Sequence, residues 1–138
     1  DLYVTGVQTC ALPISGTRQW GNGIRQLVWC REKLAKGSPN IEILKSNDGD
    51  VIIYGAKGYS SSQPGYIVVI NDSPSSWKGA WVKTSNSYLK NKNLKAYAFS
   101  SAVNGQNYQP QNKYCDGNGN VEVWAPPRGY AVYSVDGL

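Results

Sequence analysis

The chain has 138 residues, which is enough for one domain of ordinary size and too few for two. Its 14 basic and 9 acidic side chains leave a net charge of +5, and the absence of histidine excludes His-dependent catalytic triads and His-ligated zinc sites. No apolar run reaches the roughly 20 residues of a membrane-spanning helix, so we expect no integral membrane protein. The 15 Gly and 7 Pro that punctuate short Val, Ile and Tyr runs indicate strands joined by turns.

The first 15 residues do not share this pattern. Residues 4–14, VTGVQTCALPI, resemble the translation of a sequencing-library adapter, and the segment lacks the basic start of a signal peptide. We therefore expect residues 1–15 to be an unstructured artefact and the natural protein to begin further upstream. Cys10 then drops out, which leaves Cys30 and Cys115 either as a disulfide or as two small buried side chains.

An amphipathic helix is predicted over residues 24–36. Apolar side chains recur there at spacings of three, four and seven, namely Ile24, Leu27, Val28, Leu34 and Ala35. Gly37 and Pro39 end the helix. A stripe of this kind needs a partner, and we expect the rest of the chain to cover only part of it.

After Pro39 the apolar period changes to two, which is typical of strands. Seven β-prone runs follow, at residues 41–44, 51–54, 66–70, 80–83, 94–99, 121–124 and 130–135. No helix separates them, so antiparallel pairing is expected, and residues 66–70 and 130–135 are apolar on both faces, as central strands are. The predicted fold class is mainly β, an antiparallel Greek-key β-sandwich preceded by one α-helix.

Two polar segments predict tight turns, NDGD at residues 47–50 and DGNGN at residues 116–120. Their alternating oxygens also suit a calcium loop, but the second segment lacks a properly placed downstream Glu, which favours hairpins. Pro126 and Pro127 cannot donate to a sheet, so we expect a bend there. Arg128 is expected to fix that bend through hydrogen bonds to carbonyl groups.

Three stretches of the chain carry one family resemblance. The run VWAPPRGYAVY at residues 123–133 resembles the closing strands of domain C in the alpha-amylase family of glycoside hydrolases. GYIVVIND at residues 65–72 and WKGAWVKT at residues 77–84 resemble earlier strands of that domain. IRQLVW at residues 24–29, which continues through LAKG, resembles the last helix of the catalytic (β/α)8 barrel that precedes it. The resemblance covers residues 20–135.

The resemblance implies a division of the remaining chain and a set of partners. Residues 16–37 would be the last helix of a truncated barrel, and residues 38–138 the C-terminal β-sandwich. The parent enzyme would hydrolyse α-1,4-glucans with retention, using carboxylates on barrel strands that this piece lacks. Its expected partners are its own catalytic barrel and an α-glucan, with no nucleic acid and no membrane. No cofactor is expected in this piece, although calcium is possible in the missing barrel.

No catalytic residue and no metal ligand are predicted, because the nine acidic side chains are dispersed along the chain without a credible pair. Aromatic side chains remain as candidates, since Trp and Tyr rings stack on the apolar faces of sugars. Trp77 lies in a Ser/Pro-rich turn, and Tyr59, Tyr108 and Tyr114 lie in or beside polar loops. Of these four, we select Trp77, Tyr59 and Tyr108 as the candidate glycan-binding residues. A packing role is the alternative for each of them, and it is the expected role for Trp81 and Trp124 on predicted strands.

Three function classes remain open. The first is a non-catalytic C-terminal domain of an alpha-amylase-type enzyme, which acts as a scaffold against the barrel. The second is a stand-alone carbohydrate-binding module, which would need a coplanar row of exposed aromatic side chains. The third is a basic nucleic-acid-binding protein, but the basic residues are spread along the chain and favour a solvated surface instead. Extending the reading frame upstream would separate the first class from the others.

Overall fold

The computed structural model describes residues 23–138. A short α-helix and a π-helical turn come first, and eight strands follow in this part of the chain. The elements are α1 (Gly23–Trp29), the π turn (Cys30–Leu34), β1 (Ile41–Lys45), β2 (Val51–Ser60), β3 (Gln63–Asn71), β4 (Lys78–Lys83), a 3₁₀ turn (Ser87–Leu89), β5 (Lys92–Ser101), β6 (Lys113–Cys115), β7 (Asn120–Ala125) and β8 (Gly129–Val135). The adapter interpretation of residues 1–15, and residues 16–22 of the proposed barrel helix, lie outside the described residues.

The strands form two antiparallel sheets. The large sheet has six strands in the order β1-β2-β3-β8-β5-β6, and the small sheet pairs β4 with β7. The chain leaves the large sheet after β3 and again after β6, and its last strand returns between β3 and β5. This crossing connectivity is of the Greek-key kind rather than a meander. The antiparallel sandwich is confirmed, and so are the two predicted central strands, which became β3 and β8.

The main core lies between the two sheets. Alternate side chains of β3 and β8 face the small sheet, where Ile67, Val69 and Tyr133 are fully buried. Val121 and Val123 of β7 meet them from the other side. Burial of one such aliphatic side chain contributes about 1.5 to 3 kcal/mol, so this layer supplies much of the stability of the sandwich.

A second, smaller core covers the opposite face of the large sheet. Cys30 and Leu34 of the π turn pack there on Val68, Ala98 and Val132. At the edge of this cluster the ring of Trp29 lies 5.5 Å from that of Tyr97, measured between centroids. The helical segment therefore forms a third layer, which covers part of the outer face of β3 and β8.

The helical segment differs from the helix predicted over residues 24–36. The α-helix is short, and the π turn that follows it holds more residues per turn, which shifts the buried face. Cys30 and Leu34 consequently face the sheet, whereas Ile24 and Val28 of the predicted stripe are exposed. The expectation that the stripe is only partly covered is confirmed for these residues.

Of the two predicted turns between strands, one forms a hairpin and the other does not. Residues 47–50 join the antiparallel neighbours β1 and β2, as a hairpin turn does. Residues 116–120 also form a turn, but the hairpin interpretation is wrong, because β6 pairs with β5 while β7 pairs with β4. The carboxylate of Asp116 accepts hydrogen bonds from the backbone N–H groups of Asn118 and Asn120. Such local bonds fix a turn but not the sheet that each arm joins.

The two described cysteines lie on opposite sides of the large sheet. Cys30 belongs to the outer cluster and Cys115 to the core between the sheets, and both are free thiols. Burial raises the pKa of Cys30 to about 12 and that of Cys115 to about 11. Of the two alternatives open from the sequence, the structure selects small buried side chains.

Candidate functional site

The carboxylates of the described residues stabilise turns and strand contacts. Asp48 accepts a hydrogen bond of 2.8 Å from the N–H of Asp50, a contact that holds the pKa of Asp48 below its usual value. The N–H of Asn120 likewise lowers the pKa of Asp116. A general acid needs a raised pKa, so neither group has the environment that hydrolysis of a glycosidic bond requires.

Two further acidic side chains are engaged in contacts between strands and loops. Asp50 forms an ion pair of 2.7 Å with Lys78, and Glu42 accepts hydrogen bonds from Thr84 and Ser85. Within residues 23–138, no group of three or more His, Cys, Asp or Glu side chains could hold a metal ion. No helix in the same residues is long and apolar enough to cross a membrane.

Arg128 supports the bend after Pro126 and Pro127 through its backbone. Its N–H donates to the carbonyl of Ser73 at 2.9 Å, and its carbonyl accepts from the N–H of Ala102 at 3.1 Å. The guanidinium lies 3.6 Å from the carboxylate of Asp72 on the surface. The expected hydrogen bond to a carbonyl group is therefore present, but the backbone N–H of Arg128 makes it, and the guanidinium pairs with Asp72 instead.

Trp77 and Tyr108, two of the three candidate glycan-binding residues, meet at one site. Their ring centroids are 4.9 Å apart with an interplanar angle of 36°, and the indole N–H of Trp77 donates to the side-chain oxygen of Gln106 at 2.8 Å. We call the cavity beside them the aromatic cleft. It measures about 240 Å³ and is lined by Trp77, Tyr108, Gln109, Pro110, Gln111, Lys113, Trp124 and Tyr133.

Partly buried hydrogen bonds hold the loops that form the aromatic cleft. Asn71, at the end of β3, donates through its side-chain amide to the carbonyl of Ser76, one residue before Trp77. The amide of Gln109 donates to the carbonyl of Ala96 on β5 and so fixes the loop that carries Tyr108. Both rings are therefore positioned by contacts with the large sheet.

The floor of the aromatic cleft is equally fixed. The hydroxyl of Tyr133 donates to the carbonyl of Trp124 at 2.8 Å and accepts from its N–H at 3.2 Å. These bonds pair the backbone N–H and carbonyl of Trp124 on the edge of β7 that faces away from β4. Burial raises the pKa of Tyr133 to about 12, so the hydroxyl stays protonated at neutral pH.

Tyr59, the third candidate, lies elsewhere. The sequence placed it in or beside a polar loop, but β2 extends to Ser60 and carries Tyr59 near its end. The hydroxyl of Tyr88 donates to its carbonyl at 3.0 Å. Tyr59 is exposed and does not line the aromatic cleft, so its glycan-binding role stays a separate prediction.

Trp81 is an exposed tryptophan that the sequence did not single out. It was expected in the core, yet it is 67% exposed, because the alternation of β4 directs Val82 inward and Trp81 outward. The register pairs Trp81 with Glu122 and Gly79 with Trp124, so the two tryptophans share the outer face of the small sheet. The alternation around Val82 was the available signal.

A second cavity, which we call the outer groove, lies on the outer face of the large sheet. It measures about 750 Å³ and runs between the helical segment and the bend. Its lining is mostly apolar and includes Leu27, Tyr54, Tyr66, Val68, Ile70 and Tyr130. Arg31, Asp72 and Arg128 also contribute to its wall. Neighbouring residues of β8 separate the two sites, since Val132 lines the outer groove and Tyr133 the aromatic cleft.

Comparison with known proteins identifies the family of this sandwich. Residues 66–134, half of the 138 residues, match the family described as Alpha-amylase C-terminal. The match begins within β3 and ends within β8, and it includes both strands of the small sheet. No sequence among the curated proteins matches the chain. The matched region spans the core between the two sheets, and the chain belongs to the alpha-amylase C-terminal domain family.

Proposed function

We propose that the chain is the non-catalytic C-terminal domain of an enzyme that hydrolyses α-1,4-glucans, and that it serves as a scaffold against the catalytic barrel. Membership of the family implies association with a catalytic domain. The observation that carries the scaffold role is the outer groove, an apolar cavity that the helical segment leaves open.

The outer groove has the composition of a protein contact. Aliphatic and tyrosine side chains form its floor, and Ile70 remains 43% exposed although it lies on a central strand. A concave, mainly apolar surface is a common place for a contact with another protein surface or a ligand. A barrel seated here would bury the floor, and the charged groups of Arg31 and Asp72 would remain at the wall.

The exposed face of the helical segment supports the same proposal. Ile24 and Val28 point away from the sandwich, while Leu34 and Ala35 are buried against it. A helix that packs on a barrel with one face and on a sandwich with the other would need apolar side chains on both faces. We therefore propose that residues 16–37 end the barrel and that residues 38–138 form the C-terminal domain.

The test begins with the upstream reading frame, which should encode a barrel with carboxylates at its strand ends. In the full-length enzyme we expect Ile70→Ser to lower the melting temperature and the rate of starch hydrolysis, because it weakens the outer groove. Ile52→Ser is the matched control, since Ile52 is 48% exposed, pairs with Ile70 across β2 and β3, and lies outside the groove lining.

The same two variants are compared in the isolated chain, where we expect similar small losses of stability. A larger effect of Ile70→Ser in the full-length enzyme alone supports the scaffold role. Equal effects of the two substitutions in the full-length enzyme, or an upstream frame without a barrel, would overturn it.

A further inference from the structure

We propose that the aromatic cleft and the adjoining outer face of the small sheet bind a linear α-glucan chain. The existence of a saccharide site is argued from the cleft itself. The choice of an α-glucan among neutral polysaccharides rests on the proposed function.

The rings of the aromatic cleft suit the apolar face of a sugar. The contact of Trp77 with Tyr108, at 4.9 Å between centroids, joins two ring surfaces that a pyranose can lie against. The hydrogen bond from Trp77 to Gln106 holds the indole in place before any ligand arrives. A fixed ring loses little conformational entropy on binding, which favours affinity.

The polar groups of the cleft suit sugar hydroxyls. Gln111 and Lys113 line it, and within residues 23–138 neither side chain has a recorded hydrogen bond or ion pair. An amide and an ammonium can both donate to hydroxyl oxygens. Aromatic rings beside unpaired polar side chains distinguish this site from the outer groove, whose floor is mainly apolar.

The small sheet extends the site beyond one sugar ring. Trp124 lies opposite Gly79, which has no side chain to cover the neighbouring indole. Any Cβ at Gly79 would collide with the backbone carbonyl of Val123, so only glycine fits at this position. Trp81 lies two residues after Gly79 on the same face. At the rise of a strand, it is about 13 Å along the chain from Trp77. This spacing suits a polymer rather than a monosaccharide.

The charges of this surface favour a neutral ligand. Lys113 is the charged residue in the lining of the aromatic cleft, and the outer face carries Lys83 two residues after Trp81 and Glu122 opposite it. Binding of a nucleic acid needs several cationic contacts with phosphates, which this surface does not offer. A neutral glucan needs no cationic contacts.

Retention of the 138-residue chain on insoluble starch and its mobility in amylose-containing native gels test the proposal. We expect binding that Trp77→Ala and Tyr108→Ala each weaken about tenfold, which is the effect of losing one aromatic stacking contact. Tyr114→Ala is the matched control, because Tyr114 and Tyr108 are 54% and 55% exposed and Tyr114 lies on the opposite face of β6 from Lys113. The melting temperature of every variant is measured alongside.

A second pair of variants and two further conditions complete the test. Gln111→Ala changes an exposed side chain and should weaken binding without affecting folding, and Trp81→Ala should weaken binding to amylose more than to maltose. Binding in 0.5 M NaCl should match that at low salt, because no charge pair is involved. Cellulose in place of starch should retain little of the chain.

Any other outcome contradicts the proposal, and the outcomes differ in what they indicate instead. If the folded chain does not bind starch, the cleft is not a saccharide site. The same conclusion follows if Tyr114→Ala weakens binding as much as Tyr108→Ala does. Binding that high salt abolishes indicates an anionic ligand. If Tyr108→Ala instead lowers only the melting temperature of the full-length enzyme, the cleft is an interdomain contact. The scaffold role is judged separately by Ile70→Ser, which should leave starch binding of the isolated chain unchanged.

Discussion

Replacing Asn71 with alanine is expected to destabilise the chain by about 2 to 4 kcal/mol, although it removes only a small side chain. Asn71 is 1% exposed. Its amide nitrogen donates to the carbonyls of Ser76, Ala125 and Pro126 at 2.8, 3.0 and 3.2 Å, and its side-chain oxygen accepts from the N–H of Ser73 at 2.9 Å. These bonds connect the end of β3 to the loop before β4 and to the end of β7.

The magnitude follows from this geometry. The amide has two N–H groups for three carbonyls, so one is shared, and the side chain makes about three full hydrogen bonds. Each contributes about 0.5 to 1.5 kcal/mol net, and alanine would leave the buried backbone partners unsatisfied. Because the loop also positions Trp77, Asn71→Ala should weaken starch binding under conditions where the chain remains folded.

Urea unfolding followed by tryptophan fluorescence measures the free energy of unfolding of Asn71→Ala. The control is Asn93→Ala, which truncates an exposed asparagine on β5 whose side chain makes no hydrogen bond within residues 23–138, and it should change stability by less than about 0.5 kcal/mol. A loss below about 1 kcal/mol for Asn71→Ala, or equal losses for the two variants, would refute the argument that this amide joins the two sheets.

Four further outcomes are expected. The isolated chain should release no reducing sugar from soluble starch above a buffer control, because hydrolysis needs two opposed carboxylates and the sequence offers no such pair. Val68→Ala should cost about 1 to 3 kcal/mol in urea unfolding, since Val68 is buried between the large sheet and the helical segment, and an unchanged midpoint would contradict that packing. Deleting residues 1–15 should change stability by less than about 0.5 kcal/mol, and a clear fall in melting temperature would show that this segment belongs to the protein. The free energy of unfolding should fall between pH 9 and pH 12, because the unfolded thiol of Cys30 ionises from its ordinary pKa of 9.0 while burial raises the folded pKa to about 12. The stabilisation is complete below pH 9 and lost as the pH rises through the folded pKa, so Cys30→Ala should show a shallower fall, and an identical pH profile would count against a buried neutral thiol.

Most strands of the sandwich and its family could be predicted from the sequence, although the short strand β6 was not among the seven predicted runs. Alternating apolar residues record which face of each strand is buried, so the central strands β3 and β8 could be predicted from residues 66–70 and 130–135. The resemblance of the closing strands indicated the family that residues 66–134 match. Trp77 and Tyr108 could be selected as candidates because Trp77 lies in a Ser/Pro-rich turn and Tyr108 lies in or beside a polar loop.

Which of these residues meet depends on contacts between distant parts of the chain. Trp77 and Tyr108 are far apart in the chain, and their contact depends on two loops anchored to different strands of the large sheet. The exposure of Trp81 depends on which sheet β4 joins, and the separation of Cys30 from Cys115 on which face of the large sheet each one packs. Local periodicity records burial within one element, whereas sheet order and layer are set by hydrogen bonds between distant segments, and no single segment encodes those partners.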